Sequence, residues 1–209
     1  MKRNVNEKQI HILNVAEELI AQKGFEGTSV RDIAGAANVN VAMISYYFGS
    51  KDKMMAHLVQ YRVRKTRETF AEFAETVKEG KAEMQMKALV EFIIAQTFKY
   101  YYFHAYIINE LRDQNEVQAE LLDYYRVCVD KIDEVIRKGV ASGVFTYAPK
   151  AEDLYCTIRG TIIFVIRNKD FYSEYMPHAK GKTYWAEAEK KTRLNVLLTI
   201  FSILGYSVD

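Results

Sequence analysis

Helix breakers are scarce in this chain. Its 209 residues include two prolines, Pro149 and Pro177, and ten glycines, too few to punctuate many short strands, so long helices are expected. Cysteine is nearly as rare. Cys128 and Cys156 stand far apart in no metal-ligand spacing and read as two reduced, mostly buried thiols. An excess of charge of one sign is missing too. With 29 basic and 27 acidic residues the net charge is +2, so any contact with DNA must come from local placement of charge and not from a global field. Long hydrophobic runs are also absent. The most apolar, "TIIFVI" at 161–166, is flanked by Arg159 and Arg167 and is far too short to span a bilayer. The start, "MKRNVNEKQI", has no apolar stretch of the kind a signal peptide needs. These absences point to a soluble, cytoplasmic protein with no membrane partner.

Hydrophobic residues make up 49% of the chain, enough to bury a substantial core. The length suits one small module joined to a larger one. From Gln9 to Lys23, Ile10, Leu13, Ala16 and Ile20 recur at helical period, and Gly24 supplies a left-handed stop. "TSVRDIAGAA" predicts a second, short helix with Thr28 or Ser29 as its N-cap and Asp32 in its first turn. Asn38 tolerates a left-handed turn, and Asn40 can cap a third helix over Val41–Phe48. Two short helices joined by such a turn make a helix-turn-helix unit. Ser50 then caps a long helix through residue 79, and Gly80 ends it. Beyond it, helices are expected over 82–101, 103–112, 115–138, 150–168 and 185–204, with a looser segment "DFYSEYMPHAKGKTYW" before the last. The fold class is therefore all-α, about nine helices, with a helix-turn-helix domain over 1–50 and a larger helical domain over 51–209.

The run "ILNVAEELIAQKGFEGTSVRDIAGAANVNVAMISYYFGSKDKM", from Ile12 to Met54, resembles the DNA-binding domain of the TetR family of bacterial transcriptional regulators. The match has no gaps: the "A…L…GF…TS" lead-in, "VRDIA", the paired aromatics and "F-x-S-K" all stand in order. The rest of the chain resembles the family only in length and helix count. The resemblance implies a homodimer on a palindromic DNA operator and a C-terminal domain that senses a small molecule, whose binding lowers affinity for DNA.

On the third helix, Val39, Ile44 and Phe48 keep core spacing. That leaves Asn40, Val41, Ala42, Met43, Ser45, Tyr46 and Tyr47 for the outer face and first turn. The matching positions in the family lie in or beside the major groove, with the aromatic pair on phosphates. A phenol suits that role, donating to a phosphate oxygen while its ring packs on protein. Lys51 at the start of the fourth helix, and Thr28, Ser29 and Arg31 at the second, are expected as further backbone contacts. The departures from the family pattern are Asn38, where glycine is common, Val41, where lysine or another polar residue is common, and Ala42–Met43, where glycine or proline followed by threonine is common. An apolar Val41–Ala42–Met43 surface suits thymine methyls better than bidentate guanine readout.

"FKYYYFHAY" at 98–106 is the other unusual segment. Phe92, Phe98, Tyr101, Tyr102, His104, Tyr124, Tyr125 and Phe164 can line an apolar pocket with a few polar tips, or can be plain core. The apolar stretches "LYCTIRGTIIFVI" and "RLNVLLTIFSIL" read as dimer helices, since in the family such helices pair across a two-fold axis, or as faces buried within the subunit. No metal, Ser–His or paired-carboxylate pattern stands out, so no cofactor, metal site or enzymatic activity is expected. The function read from the sequence is a DNA-binding regulator, a dimeric repressor released by a small apolar or amphipathic effector. The alternative is a regulator that answers to a protein partner or has no effector.

Overall fold

The computed structural model describes residues 6–102, 115–179 and 181–206. All regular structure among them is helical: α1 (Glu7–Lys23), α2 (Val30–Ala36), α3 (Val41–Phe48), α4 (Lys51–Thr76), α5 (Ala82–Lys99), α6 (Asn115–Ala141), α7 (Ala151–Arg167), α8 (Lys169–Glu174) and α9 (Lys182–Ile203). None of these helices is long and apolar enough to cross a membrane. The helix expected over 103–112 lies outside the described residues.

The chain packs as two compact units. The first takes the chain up to Lys65 together with the start of α6 through Glu120, and the second takes the chain from Thr66 and again from Leu121. The unit boundary thus falls within α4, whereas the sequence suggests one between residues 50 and 51.

In the first unit, local signals set each helix end. Asn6 and Gln9 form a reciprocal capping box on α1, and Ser29 and Asp32 form one on α2. Each box satisfies two backbone donors that a helix start leaves open. Gly24 ends α1 at φ 76, a backbone conformation that a side chain would strain. Asn38 takes the left-handed conformation the turn requires, at φ 52. Ile12, Leu13, Ala16 and Ile20 of α1 are buried, as are Ile33 and Ala34 of α2, Ile44 and Phe48 of α3, and Met54 and Leu58 of α4. Two ion pairs brace this small core. Arg62 reaches the largely buried Glu17, and Asn14 at 3.0 Å. Arg64 grips both carboxylate oxygens of Glu120 through its Nε, at 2.9 and 3.0 Å.

In the second unit, α5, α7 and α9 pack against one another. Their buried faces carry Leu89, Ile93, Ile158, Ile162, Val196 and Ile200. Phe145, just after α6, folds back onto Gly139. A Cβ at Gly139 would stand 2.0 Å from the Phe145 ring, so only glycine allows this approach. The same segment is pinned to the end of α9 by Thr146 and Tyr147, whose N–H groups donate to the Leu204 carbonyl at 3.1 and 3.2 Å.

Two local expectations are corrected. The segment expected to be loose after α7 contains α8, and α9 starts at Lys182, before the expected residue 185. Of the two thiols expected inside, Cys128 is buried but Cys156 is exposed. Cys156 lies on the α7 face opposite its apolar side.

Candidate nucleic-acid interface

The short helix α3 is held to the first unit by two side chains, Ile44 (1% exposed) and Phe48 (4%). Phe48 packs against the His57 ring at 5.6 Å. Because those anchors recur one helical turn apart, the opposite face is free. Val41, Ala42, Ser45 and Tyr46 are exposed there, with Met43 and Tyr47 half-buried at its edges. Tyr46 is 84% exposed, and its ring meets Tyr47 edge-on at 5.3 Å. A phenol held so far into solvent by one ring contact has its hydroxyl available to a ligand. Asn40 caps the helix through Oδ1, which accepts from the Ala42 N–H at 2.8 Å, so its amide NH2 still faces outward as a donor.

The surrounding donors divide differently from the sequence expectation. Arg31 is exposed and suited to a phosphate. Thr28 is not: it is 0% exposed, and its hydroxyl donates to the Gly24 carbonyl at 2.8 Å. Its polar atom satisfies the end of α1, because a buried carbonyl left without a donor is costly. The Ser29 hydroxyl donates to Asp32 at 2.6 Å and accepts from the Asp32 N–H, so it too is committed locally. That hydrogen bond, together with the one from the Ser29 N–H, holds the Asp32 carboxyl below its ordinary range. Lys51 is half-buried. Its Nζ donates to the Phe25 carbonyl at 2.6 Å and sits 3.9 Å above the Phe25 ring. An ammonium has further protons to offer, so Lys51 can tie the α1–α2 loop and still meet an anion from outside.

The aromatic residues of the second unit separate into three groups. Phe73 and Phe92 stack at 4.5 Å, Phe70 meets Phe92 at 5.5 Å and Tyr124 at 6.2 Å, and Tyr125 meets Tyr155 at 5.7 Å. This chain of rings runs between α4, α5, α6 and α7. Phe98 is buried as core, while Tyr101 stacks on Trp185 at 4.2 Å, with Tyr102 beside it. Phe164 stands apart from both. It lies nine residues after Tyr155, about half a turn round the helix, and is 52% exposed against Phe171. It therefore belongs to the outer face of α7, with Cys156 and Gly160, and not to the ring chain. Leu194 and Leu198 are similarly exposed on α9, at 63% and 64%. His104 lies outside the described residues.

Four residues not singled out as candidates converge beside Tyr124 and Tyr125. Arg159 of α7 donates from Nη1 to the Thr97 hydroxyl at 2.8 Å and stacks over Tyr125 at 5.5 Å. Tyr155 lies one turn before it, and the Cys128 thiol lies against Tyr124 and Tyr155. Burial pushes the Cys128 thiol up to about 11 and raises the Tyr124 and Tyr155 phenols above their usual values. The sequence did carry a signal: Tyr155 and Arg159 share the spacing of Ile158 and Ile162, which puts a guanidinium on the apolar face of its helix. No group of three or more His, Cys, Asp or Glu that could hold a metal occurs among the described residues.

Comparison with known proteins identifies the family. The family model for bacterial regulatory proteins of the tetR family matches residues 12–58, and that for the tetracyclin repressor-like C-terminal domain matches 83–193. The "Probable HTH-type transcriptional regulator YttP" of Bacillus subtilis is 33% identical over 114 residues, 54% of this chain and 55% of that protein. The "HTH-type transcriptional repressor AcnR" of Corynebacterium efficiens is 29% identical over 137 residues, 66% of this chain and 65% of that protein. The chain thus spans little more than half the length of the first of these curated relatives, and just under two thirds of the second. Among solved structures, the transcriptional regulator FadR of Bacillus subtilis, in complex with stearoyl-CoA, superposes with a TM-score of 0.62 at 19% identity, covering 93% of this chain and 98% of that one.

Proposed function

We propose, for a chain that belongs to the tetR family of bacterial regulatory proteins, that it is a sequence-specific DNA-binding transcriptional regulator. On this reading it is a homodimeric repressor that leaves a palindromic operator when a small apolar or amphipathic effector occupies the second unit. The observation that carries the DNA half is the free face of α3, anchored only by Ile44 and Phe48 and ending in the projecting Tyr46 phenol. Val41, Ala42 and Met43 face the bases, with the Asn40 amide and the exposed Ser45 hydroxyl as their polar neighbours. Tyr46, Tyr47, Arg31 and the spare donors of Lys51 take phosphates. The exposed Phe164 on α7 and Leu194 and Leu198 on α9 are large apolar groups that a two-fold partner would cover, which supports dimerisation through these helices. The ring chain from Phe73 to Tyr155 supports the effector half.

Selection of binding sites from random DNA tests the first half. The expected result is an inverted repeat whose half-site places thymines opposite Val41, Ala42 and Met43. Failure to enrich any sequence sinks the DNA-binding reading, and a half-site core built solely of G·C pairs sinks the apolar readout. Competition of the selected operator with a metabolite and drug panel tests the second half, and thermal shift with the same compounds reports binding directly.

A further inference from the structure

Arg159 is paired differently from the other arginines that brace this protein. Arg62 and Arg64 each meet a glutamate. Among the described residues, Arg159 meets none. Its contacts are the Thr97 hydroxyl and the face of Tyr125, both uncharged. The Thr97 hydroxyl already donates its own proton to the Ile93 carbonyl at 2.7 Å, so it accepts from Arg159 as one link in a chain anchored on α5. The surroundings are closed. Thr97 is 3% exposed, Tyr155 6%, Tyr124 8% and Cys128 0%. A second polar group there is poorly satisfied as well: among the described residues the buried Tyr155 hydroxyl meets no nitrogen or oxygen partner, only the Cys128 thiol beside it.

Such a combination is costly in a folded core. The half-buried Arg159 guanidinium gives up part of its hydration, and a neutral hydroxyl with a ring face replaces only part of that. A poorly satisfied buried phenol adds to that cost. Buried charges are otherwise compensated by an opposite charge. Here no compensating charge is found among the described residues, while an apolar series of packed rings (Phe73, Phe92, Phe70, Tyr124) adjoins the site.

We infer that Arg159, assisted by the Tyr155 hydroxyl, receives the acidic head group of the effector, so that the effector is a carboxylic acid with an apolar body. The carboxylate accepts two N–H bonds from the planar guanidinium and one O–H bond from Tyr155. The apolar body lies along Tyr124, Phe70 and Phe92. This inference rests on the proposed effector-released repressor and names the ligand's chemical class. It also gives the ligand differential affinity, because the head group satisfies polar atoms that the empty protein leaves poorly satisfied.

The test compares acids with their primary amides, which match in shape but carry no charge. Octanoate and octanamide, and 4-phenylbutyrate and 4-phenylbutanamide, are titrated at neutral pH into the full chain, into Arg159→Met and into Arg159→Lys. The melting temperature and operator affinity are read for each. At least one acid is expected to raise the native melting temperature by several degrees and to weaken operator binding, while its amide does neither. Arg159→Met abolishes that response, and Arg159→Lys keeps part of it. Ligand-free Arg159→Met melts at or above the native protein, since the variant removes an uncompensated charge. Amides as effective as acids, an acid response that survives in Arg159→Met, no response to either acid, or a ligand-free Arg159→Met that melts lower each overturn the inference. A neutral compound that releases the operator when no acid does also overturns it, and leaves the repressor reading standing. Failure to bind any operator without ligand sinks the repressor reading instead.

Discussion

Replacing Tyr46 with phenylalanine isolates one atom of the proposed DNA face. The ring is kept, and with it the edge-on contact to Tyr47 at 5.3 Å. At 84% exposure the hydroxyl is hydrated in the free protein, so its loss leaves folding within about 0.5 kcal/mol of the native protein. On the operator it would donate to a phosphate, a bond with a net worth of about 1 kcal/mol. A two-fold dimer makes that bond twice, so the expected loss is about 2 kcal/mol, or about 30-fold in Kd. The salt dependence adds a second constraint. A phenol releases no counterion, so the slope of log K against log salt stays that of the native protein, whereas losing one lysine–phosphate contact per subunit lowers it by about 1 for each. Fluorescence anisotropy with a labelled operator, at several salt concentrations and beside a thermal melt, reads all three quantities. Binding within about twofold of native would refute the phosphate role. An altered slope would show that the substitution had disturbed the charged contacts, and a lowered melting temperature would show that Tyr46 supports the fold.

Two further substitutions test the divisions drawn above. Thr28→Val removes the donor to the Gly24 carbonyl from a fully buried site, so it should cost about 1–3 kcal/mol of stability while operator affinity, measured well below the melting temperature, is unchanged. An unchanged melt with weaker operator binding would return Thr28 to the phosphate contacts. Leu198→Lys puts a charge on the exposed apolar face of α9 and should convert the dimer to monomers in sedimentation, at the same time speeding alkylation of Cys156 on the outer face of α7. At pH 8, Cys128 should stay unmodified in both forms, because burial holds its thiol up at about 11. A raised thiol stabilises fully below its ordinary value of 9.0 and loses that contribution as pH climbs toward about 11, so an alkaline melt should fall across that window. Rapid labelling of Cys128 at pH 8, or a Leu198→Lys protein that remains dimeric, would contradict these assignments.

What was legible in the sequence was legible for local reasons. The ends of α1, α2 and α3 are fixed by Asn6, Ser29 and Asn40 accepting backbone N–H bonds within three residues, so the residue types alone announce them. The same holds for the left-handed turn at Asn38. The roles of Thr28 and Lys51 were not legible. Both stand where a helix start faces outward, and only the folded loop at Gly24–Phe25 shows that each has a backbone carbonyl to satisfy. Phe164 was misjudged because an aromatic in an apolar helix is ambiguous until the helix rotation is known, and rotation depends on partners distant in sequence. Arg159 shows the reverse. Its position on the apolar face was readable, but its lack of a carboxylate among the described residues depends on which side chains α5 and α6 bring to it.

The composition of the α3 face also bears on how such a protein discriminates operators. Bidentate pairs between side chain and base are worth about 1–3 kcal/mol of discrimination each, and Val41, Ala42 and Met43 can form none. A methyl packed on a thymine methyl contributes about 0.8 kcal/mol per buried carbon, and an unmatched base merely leaves that contact unfilled. Each position therefore discriminates weakly, and three apolar residues per half-site give a few kcal/mol only when both half-sites are read together. The Asn40 amide can sharpen a single position, since its Oδ1 is already committed to the Ala42 N–H and only its donors remain. On the proposed reading, with so little base-edge hydrogen bonding, most of the affinity would come from Tyr46, Tyr47, Arg31 and Lys51 on phosphates. Those contacts hold any duplex in which the two α3 helices can enter successive major grooves. If the proposed dimer forms, selectivity depends on it more than on the helix: only operators with two thymine-bearing half-sites at matching separation engage both subunits, so loss of dimerisation is expected to reduce specificity further than loss of any one residue of α3.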